Sequence, residues 1–178
     1  MRLRPDPVVR PVAELELDAV AALFAPGLAP YRGTDADPLL DSYLAELQDV
    51  RSRFDVAEVY VALHEAQLVG SVSFYRDVRL EGWSSFPGGW AGLRALVVHP
   101  DARGTGVGEA LLRTCIGRTR TIGAPVLGLH TIELLADAVR LYERLGFVRC
   151  PEYDLRAADV FPGAYAGGMV GLAYRFDL

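Results

Sequence analysis

Hydrophobic positions along this chain follow two periods. Residues 8–12 form a short apolar run that predicts a first strand. From residue 14 to 24, Leu15, Ala19, Ala22 and Leu23 recur at helical spacing, and Pro26, Gly27 and Pro30 then mark a break. After the polar loop YRGTDADP, a second helix is predicted over residues 38–54, with Pro38 in its first turn and a stripe of Leu40, Tyr43, Leu44, Leu47 and Val50. Residues 59–63 and 68–75 are β-branched and aromatic runs joined by His64-Glu65-Ala66-Gln67, an antiparallel hairpin. A Gly/Trp/Pro-rich loop over residues 79–92 precedes a central strand around residues 96–98. A glycine turn then leads into a helix that runs to about Ile122 and stops at Gly123-Ala124-Pro125. Residues 126–130 predict a strand and residues 134–145 a helix closed by Gly146, with two last strands at 147–149 and 170–176. The order β-α-α-β-β-β-α-β-α-β-β predicts an α/β (α+β) fold: one domain over residues 1–178, with helices on both faces of a mixed sheet. Early strands follow one another without helices between them, so a doubly wound parallel sheet is excluded.

Composition narrows the partners. A net charge of −5 argues against a general nucleic-acid binder, because phosphate backbones reward a basic surface. No apolar run approaches the roughly 18 residues of a membrane span, and the opening MRLRPDPVVRPV lacks the apolar core of a signal peptide. Cys115 and Cys150 have no metal-ligand partner at a suitable spacing, so no metal is expected. A cytoplasmic location is the default expectation.

The chemistry concentrates at Arg103-Gly104-Thr105-Gly106-Val107-Gly108. Glycines at alternate positions bare the backbone amides at the start of a helix, whose dipole adds about half a positive charge. Arg103 brings a guanidinium shaped for phosphate oxygens. The turn therefore predicts a pyrophosphate site. It lacks the dinucleotide glycine spacing, and no Gly-Lys-Ser/Thr follows, which sets aside nucleotide-binding loops of both kinds.

The block HPDARGTGVG at 99–108 is followed by AVRLYERLGF at 138–147. Together they resemble the GNAT superfamily of acetyl-CoA-dependent N-acyltransferases. That resemblance implies a GNAT-like, mostly antiparallel sheet in which the central strand is bulged and splays from the next to leave a V-shaped slot. It implies acetyl-CoA as acyl donor, with its pyrophosphate on Arg103, Gly104, Thr105, Gly106, Val107 and Gly108 and its pantetheine arm along Leu96, Val97 and Val98. It gives Tyr142 the role of protonating the departing thiolate. A phenol suits that task, since its pKa of about 10 lies close to that of a thiol, about 8.5.

The acceptor expected is a primary amine of a small molecule or peptide, attacking directly in a ternary complex. The central strand, GLRALVV, carries no glutamate, and Leu135 stands where relatives often have asparagine. His130, at the end of the neighbouring strand, is a candidate base, with Glu133 a weaker one; His99 reads as a surface residue and His64, in a hairpin turn, as inert. Tyr31, Phe74, Tyr75 and Trp83 are the candidate acceptor-binding residues, with Asp35, Asp37, Trp90 and Tyr165 behind them. Without a strand glutamate, the alternative is a non-catalytic acyl-CoA sensor, which turnover of any amine would exclude. Pairing through late strands makes a homodimer compatible with the resemblance.

Overall fold

The computed structural model of the chain describes residues 6–162 and 168–178. Eight strands form one sheet: β1 (Val8–Pro11), β2 (Glu58–His64), β3 (Gln67–Tyr75), β4 (Ala91–Val98), β5 (Val126–Ile132), β6 (Val148–Arg149), β7 (Leu155–Arg156) and β8 (Val170–Asp177). Their order is β1-β2-β3-β4-β5-β8-β6, with β7 also paired to β8. Every pairing is antiparallel except β4 with β5. No described helix is long and apolar enough to cross a membrane.

Helices cover both faces, as expected. α1 (Leu17–Leu28), α2 (Asp37–Gln48) and α3 (Val50–Phe54) lie on one face, where Leu23, Phe24, Leu47 and Val50 meet Val59 and Val61 of β2. α4 (Val107–Ile122) packs on the other, burying Leu111, Leu112 and Cys115 against Tyr60, Val72, Phe74 and Leu93. Each fully buried aliphatic side chain of this kind contributes roughly 1.5–3 kcal/mol. α5 (Ala136–Arg144) follows β5 and buries Tyr142.

Two helix boundaries differ from the pattern reading. α1 continues through Pro26 to Leu28, giving up the one backbone bond that an amide at position 26 would make to Ala22. The helix expected over residues 38–54 is instead two, broken at Asp49 (φ −76°, ψ 62°). The Asp49 carboxylate accepts from the Ser52 amide at 3.2 Å, and this local capping competes successfully with helix continuation. The segment between the last two expected strands adds β7 and a single-turn α6 (Ala157–Val160).

The decisive irregularity is in β4. Against β3, Ser71 pairs with Val97 and Ser73 with Arg94, so Ala95 and Leu96 together oppose Val72. Ala95 takes up this bulge in the left-handed region, φ +54°. The bulge reverses the alternation: Ala91 and Leu93 face α4, whereas Ala95 and Val97 face α1 and α3. β4 meets β5 only through Ala91↔Leu127 and Gly92↔Gly128. Beyond that pair the strands part, leaving the V-shaped opening.

Candidate active site

The opening between β4 and β5 continues into a cleft of about 620 Å³, walled by α1, the end of β4, the glycine turn and α5. Leu96, Val97 and Val98 line it from β4. Because β5 has turned away, the β5-facing edge of this stretch has no strand partner.

At one end of the cleft the glycine turn forms a cradle. Gly104 (φ +75°) and Gly106 (φ +88°) occupy backbone conformations that cost little only for glycine, and Gly106 is the N-cap of α4. The Arg103 amide donates to the Pro100 carbonyl at 3.1 Å and the Ala110 amide to the Gly106 carbonyl at 2.9 Å. The amides of residues 104–109 between them find no protein acceptor among the described residues. Gly104, Gly106, Val107 and Gly108 face the cleft. Thr105 does not line it; its hydroxyl donates to the Ala102 carbonyl at 2.6 Å and tightens the turn. Arg103 lines the cleft with its guanidinium 5.7 Å from the Tyr31 ring centre, and its Nη2 donates to the Gly27 carbonyl of α1 at 2.7 Å. Arg140 and Arg144, one helical turn apart on α5, add two more cations to the wall. Free amides, a helix N-terminus and three arginines together suit a polyanion.

A second pocket, about 50 Å³, lies on the far side of Tyr43 and Leu135, which line both spaces. Trp83 and His130 are in its wall. His130 Nε2 donates to the Tyr153 carbonyl at 2.9 Å and lies 3.1 Å from Ser85 Oγ; its ring stacks on Phe86 at 4.4 Å. That donation leaves Nδ1 as the lone-pair nitrogen, and no described group hydrogen-bonds to it. Burial lowers the imidazole pKa below its ordinary value of 6.5, so the ring is neutral at pH 7.

Several predicted residues lie elsewhere. Phe74 is fully buried against α4, and Tyr75, on the opposite face of β3, is buried beside Arg94 and Glu81; neither lines either of these two cavities. β3 is covered on both faces, so an apolar side chain on it packs rather than meeting substrate. Trp90 belongs to an aromatic cluster with Phe86 and Tyr153. Asp37 accepts from the Gly33 amide at 3.0 Å as a loop cap, Asp35 and Glu133 are exposed, and Tyr165 lies outside the described residues. Tyr142 is buried among Phe147, Tyr174 and Cys115 and lines neither cavity. No hydrogen bond of its hydroxyl occurs among the described residues, and the residue is 5% exposed. Burial pushes its pKa well above the usual phenol value, with nearby Tyr43 and Cys115 acting in the same direction.

Pattern reading missed the charges beneath this site. Arg94, 7% exposed, lies with its guanidinium 4.1 Å from the Trp83 ring centre and donates to Glu46 of α2 at 2.8 Å. The Glu46 carboxylate also faces buried Arg53, at 3.7 Å. Glu81 is 6% exposed, with neither carboxylate oxygen hydrogen-bonded among the described residues. Oε1 lies so close to Gly92 that a Cβ there would come within 2.1 Å of it. Burial raises the Glu81 pKa to about 8, opposed by the charge of Arg94. Arg140 and Arg144 sit inside the 138–147 block and were findable by their spacing of four, whereas nothing local marks Glu81.

Comparison with known proteins agrees with this geometry. A model of the acetyltransferase (GNAT) family matches residues 26–147. A mycothiol acetyltransferase of Thermobispora bispora is 33% identical over 108 residues, which are 58% of this chain and 36% of that protein. The chain thus spans about a third of the length of that relative. An aminoalkylphosphonate N-acetyltransferase of Salmonella typhimurium is 30% identical over 154 residues, covering 83% of this chain and 91% of that protein. Among solved structures, Salmonella typhimurium yncA, determined with its cofactor acetyl-CoA, superposes with a TM-score of 0.63 at 20% identity over 98% of this chain and 95% of that one, which shows a shared fold.

Proposed function

The chain belongs to the acetyltransferase (GNAT) family, and from that premise we propose that it transfers an acetyl group from acetyl-CoA to a primary amine while both substrates are bound. The observation that carries this reading is the cradle: the amides of residues 104–109 at the N-terminus of α4, beside Arg103, which find no acceptor among the described residues. They suit the pyrophosphate of CoA, and the unpaired edge of Leu96–Val98 suits the amide groups of its pantetheine arm. Acetyl-CoA supplies, when bound, an activated thioester. The chain's own residues then have two tasks, both proton transfers.

Tyr142 holds the proton that a departing thiolate needs. Burial keeps its phenol protonated at neutral pH and also makes that proton harder to release than an ordinary phenol's. His130 accepts the proton from the amine. The Tyr153 carbonyl fixes Nε2–H, so the lone pair is on Nδ1, a buried atom that has to be uncovered before it meets the amine; His130 lines the second pocket where Glu81 does not. The arrangement of a base oriented by a third group is the usual one for such transfers.

The test is thiol release from acetyl-CoA in the presence of amines. Tyr142→Phe is expected to lower kcat about 100-fold, the low end for a general acid, with the KM for acetyl-CoA unchanged. His130→Gln should lower kcat and remove an acid limb that falls below pH 6.5 in the wild type. A Tyr142→Phe enzyme as fast as wild type would take the tyrosine out of the mechanism. Acetyl-CoA binding without turnover of any amine would favour an acyl-CoA sensor instead.

A further inference from the structure

The second pocket speaks to the acceptor. Its walls are mostly apolar: Leu39 and Tyr43 from α2, Trp83 from the loop after β3, Ile132 at the end of β5, Leu135 at the start of α5 and Phe161 after α6, with Thr131 Oγ1 and His130 Nδ1 as polar atoms that no described group hydrogen-bonds. It touches the cofactor cleft only through Tyr43 and Leu135, so a group seated in it lies one side chain away from the cleft. By volume it holds roughly four non-hydrogen atoms, taking about 10–15 Å³ for each water-sized occupant.

The cations nearest this pocket are all engaged. Arg94 covers the Trp83 ring and is paired with Glu46, and Arg53 donates to the Glu46 and Leu47 carbonyls. His130 is neutral, with its one proton held by the Tyr153 carbonyl. Among the described residues no unpaired cation lines the pocket. A phosphonate, phosphate or carboxylate placed there would be buried without a counter-charge, which is strongly unfavourable. The Tyr43 hydroxyl, at the junction of the two spaces, has no hydrogen-bond partner among the described residues and can orient an incoming amine.

We propose that the acceptor is a primary amine carried on a short, branched alkyl body with no acidic group, and that the pocket bounded by Leu39, Tyr43, Trp83, Leu135 and Phe161 holds that body. This rests on the acetyltransferase reading above and adds the substrate class. The substrate is therefore of a different class from the aminoalkylphosphonate named for the Salmonella relative. The step is amide formation: the amine nitrogen bonds to the acetyl carbon, the carbon–sulfur bond breaks, the amine proton goes to His130 and the thiolate takes the Tyr142 proton.

The experiment compares kcat/KM for 3-methylbutylamine, ethylamine, 1,4-diaminobutane and 2-aminoethylphosphonate by thiol release, with the acetyl-CoA-induced shift in thermal midpoint measured in parallel. Each methylene buried in an apolar pocket adds a few-fold, so 3-methylbutylamine should exceed ethylamine by at least tenfold and the other two by more. Phe161→Ala should shrink that ratio several-fold while leaving the acetyl-CoA shift unchanged. Preference for the phosphonate or the diamine overturns the inference and leaves the acetyltransferase reading standing, as does a Phe161→Ala enzyme that folds and keeps the wild-type ratio. A normal acetyl-CoA shift with no thiol release from any amine overturns both.

Discussion

Replacing Glu81 with glutamine is expected to raise the thermal midpoint by about 10 °C at pH 8 and to leave it nearly unchanged at pH 4. The carboxyl is 6% exposed, and its pKa rises from 4.5 to about 8 because burial penalises the charged form. Between those two values the native state keeps a proton that the unfolded chain has released. Wild-type stability is therefore undiminished below pH 4.5, falls as pH rises, and levels off above pH 8. The accumulated loss is about 4 kcal/mol at pH 8, and each kcal/mol moves the midpoint of a domain of this size by roughly 2–4 °C. A glutamine side chain occupies the same space without titrating, so the variant's midpoint should depend less on pH. Melting curves at pH 4, 6 and 8 check this. A wild-type midpoint that rises from pH 5 to 8 would mean that Glu81 is ionised and paired in the folded chain.

Arg103→Glu should remove the stabilisation by acetyl-CoA. Arg103 lines the cleft beside the cradle amides and ties the turn to α1 through the Gly27 carbonyl. The substitution deletes a cation and sets a carboxylate where the pyrophosphate is proposed to bind. Charge-assisted hydrogen bonds contribute roughly 1.5–3 kcal/mol, so losing one and adding repulsion weakens affinity at least 100-fold. Loss of the tether alone costs the free protein about 1 kcal/mol, a single hydrogen bond, and lowers its midpoint by only roughly 2–4 °C. Titration calorimetry with acetyl-CoA separates the two effects. Unchanged affinity would take Arg103 out of the binding site.

What could be read from the sequence was what depends on neighbours along the chain. The glycine turn is local chemistry: only glycine accepts the conformations at Gly104 and Gly106 cheaply, so their spacing betrayed the cradle. The helical stripe ending in Gly146 likewise placed α5 to within about two residues. The β4 bulge left no such trace. It is carried by Ala95, a residue with no special tolerance for positive φ, and surrounding packing holds it there.

The second pocket was illegible for a different reason. It joins α2, the loop after β3, β5 and the region around α6, which are far apart in sequence. Strands covered on both faces misled in the same way: Phe74 and Tyr75 look like pocket aromatics, yet both are core. Glu81 is the extreme case, because its consequence depends on a glycine eleven residues later that leaves room for its carboxyl group.

The most direct test of the account is thermal unfolding of the wild-type protein with saturating acetyl-CoA, with NAD and ATP as controls. At a hundred times its dissociation constant a ligand adds about 2.7 kcal/mol. The midpoint should then rise by roughly 5–10 °C with acetyl-CoA and stay in place with NAD or ATP. A midpoint unmoved by acetyl-CoA, or moved equally by all three, would contradict the assignment of the cradle to CoA.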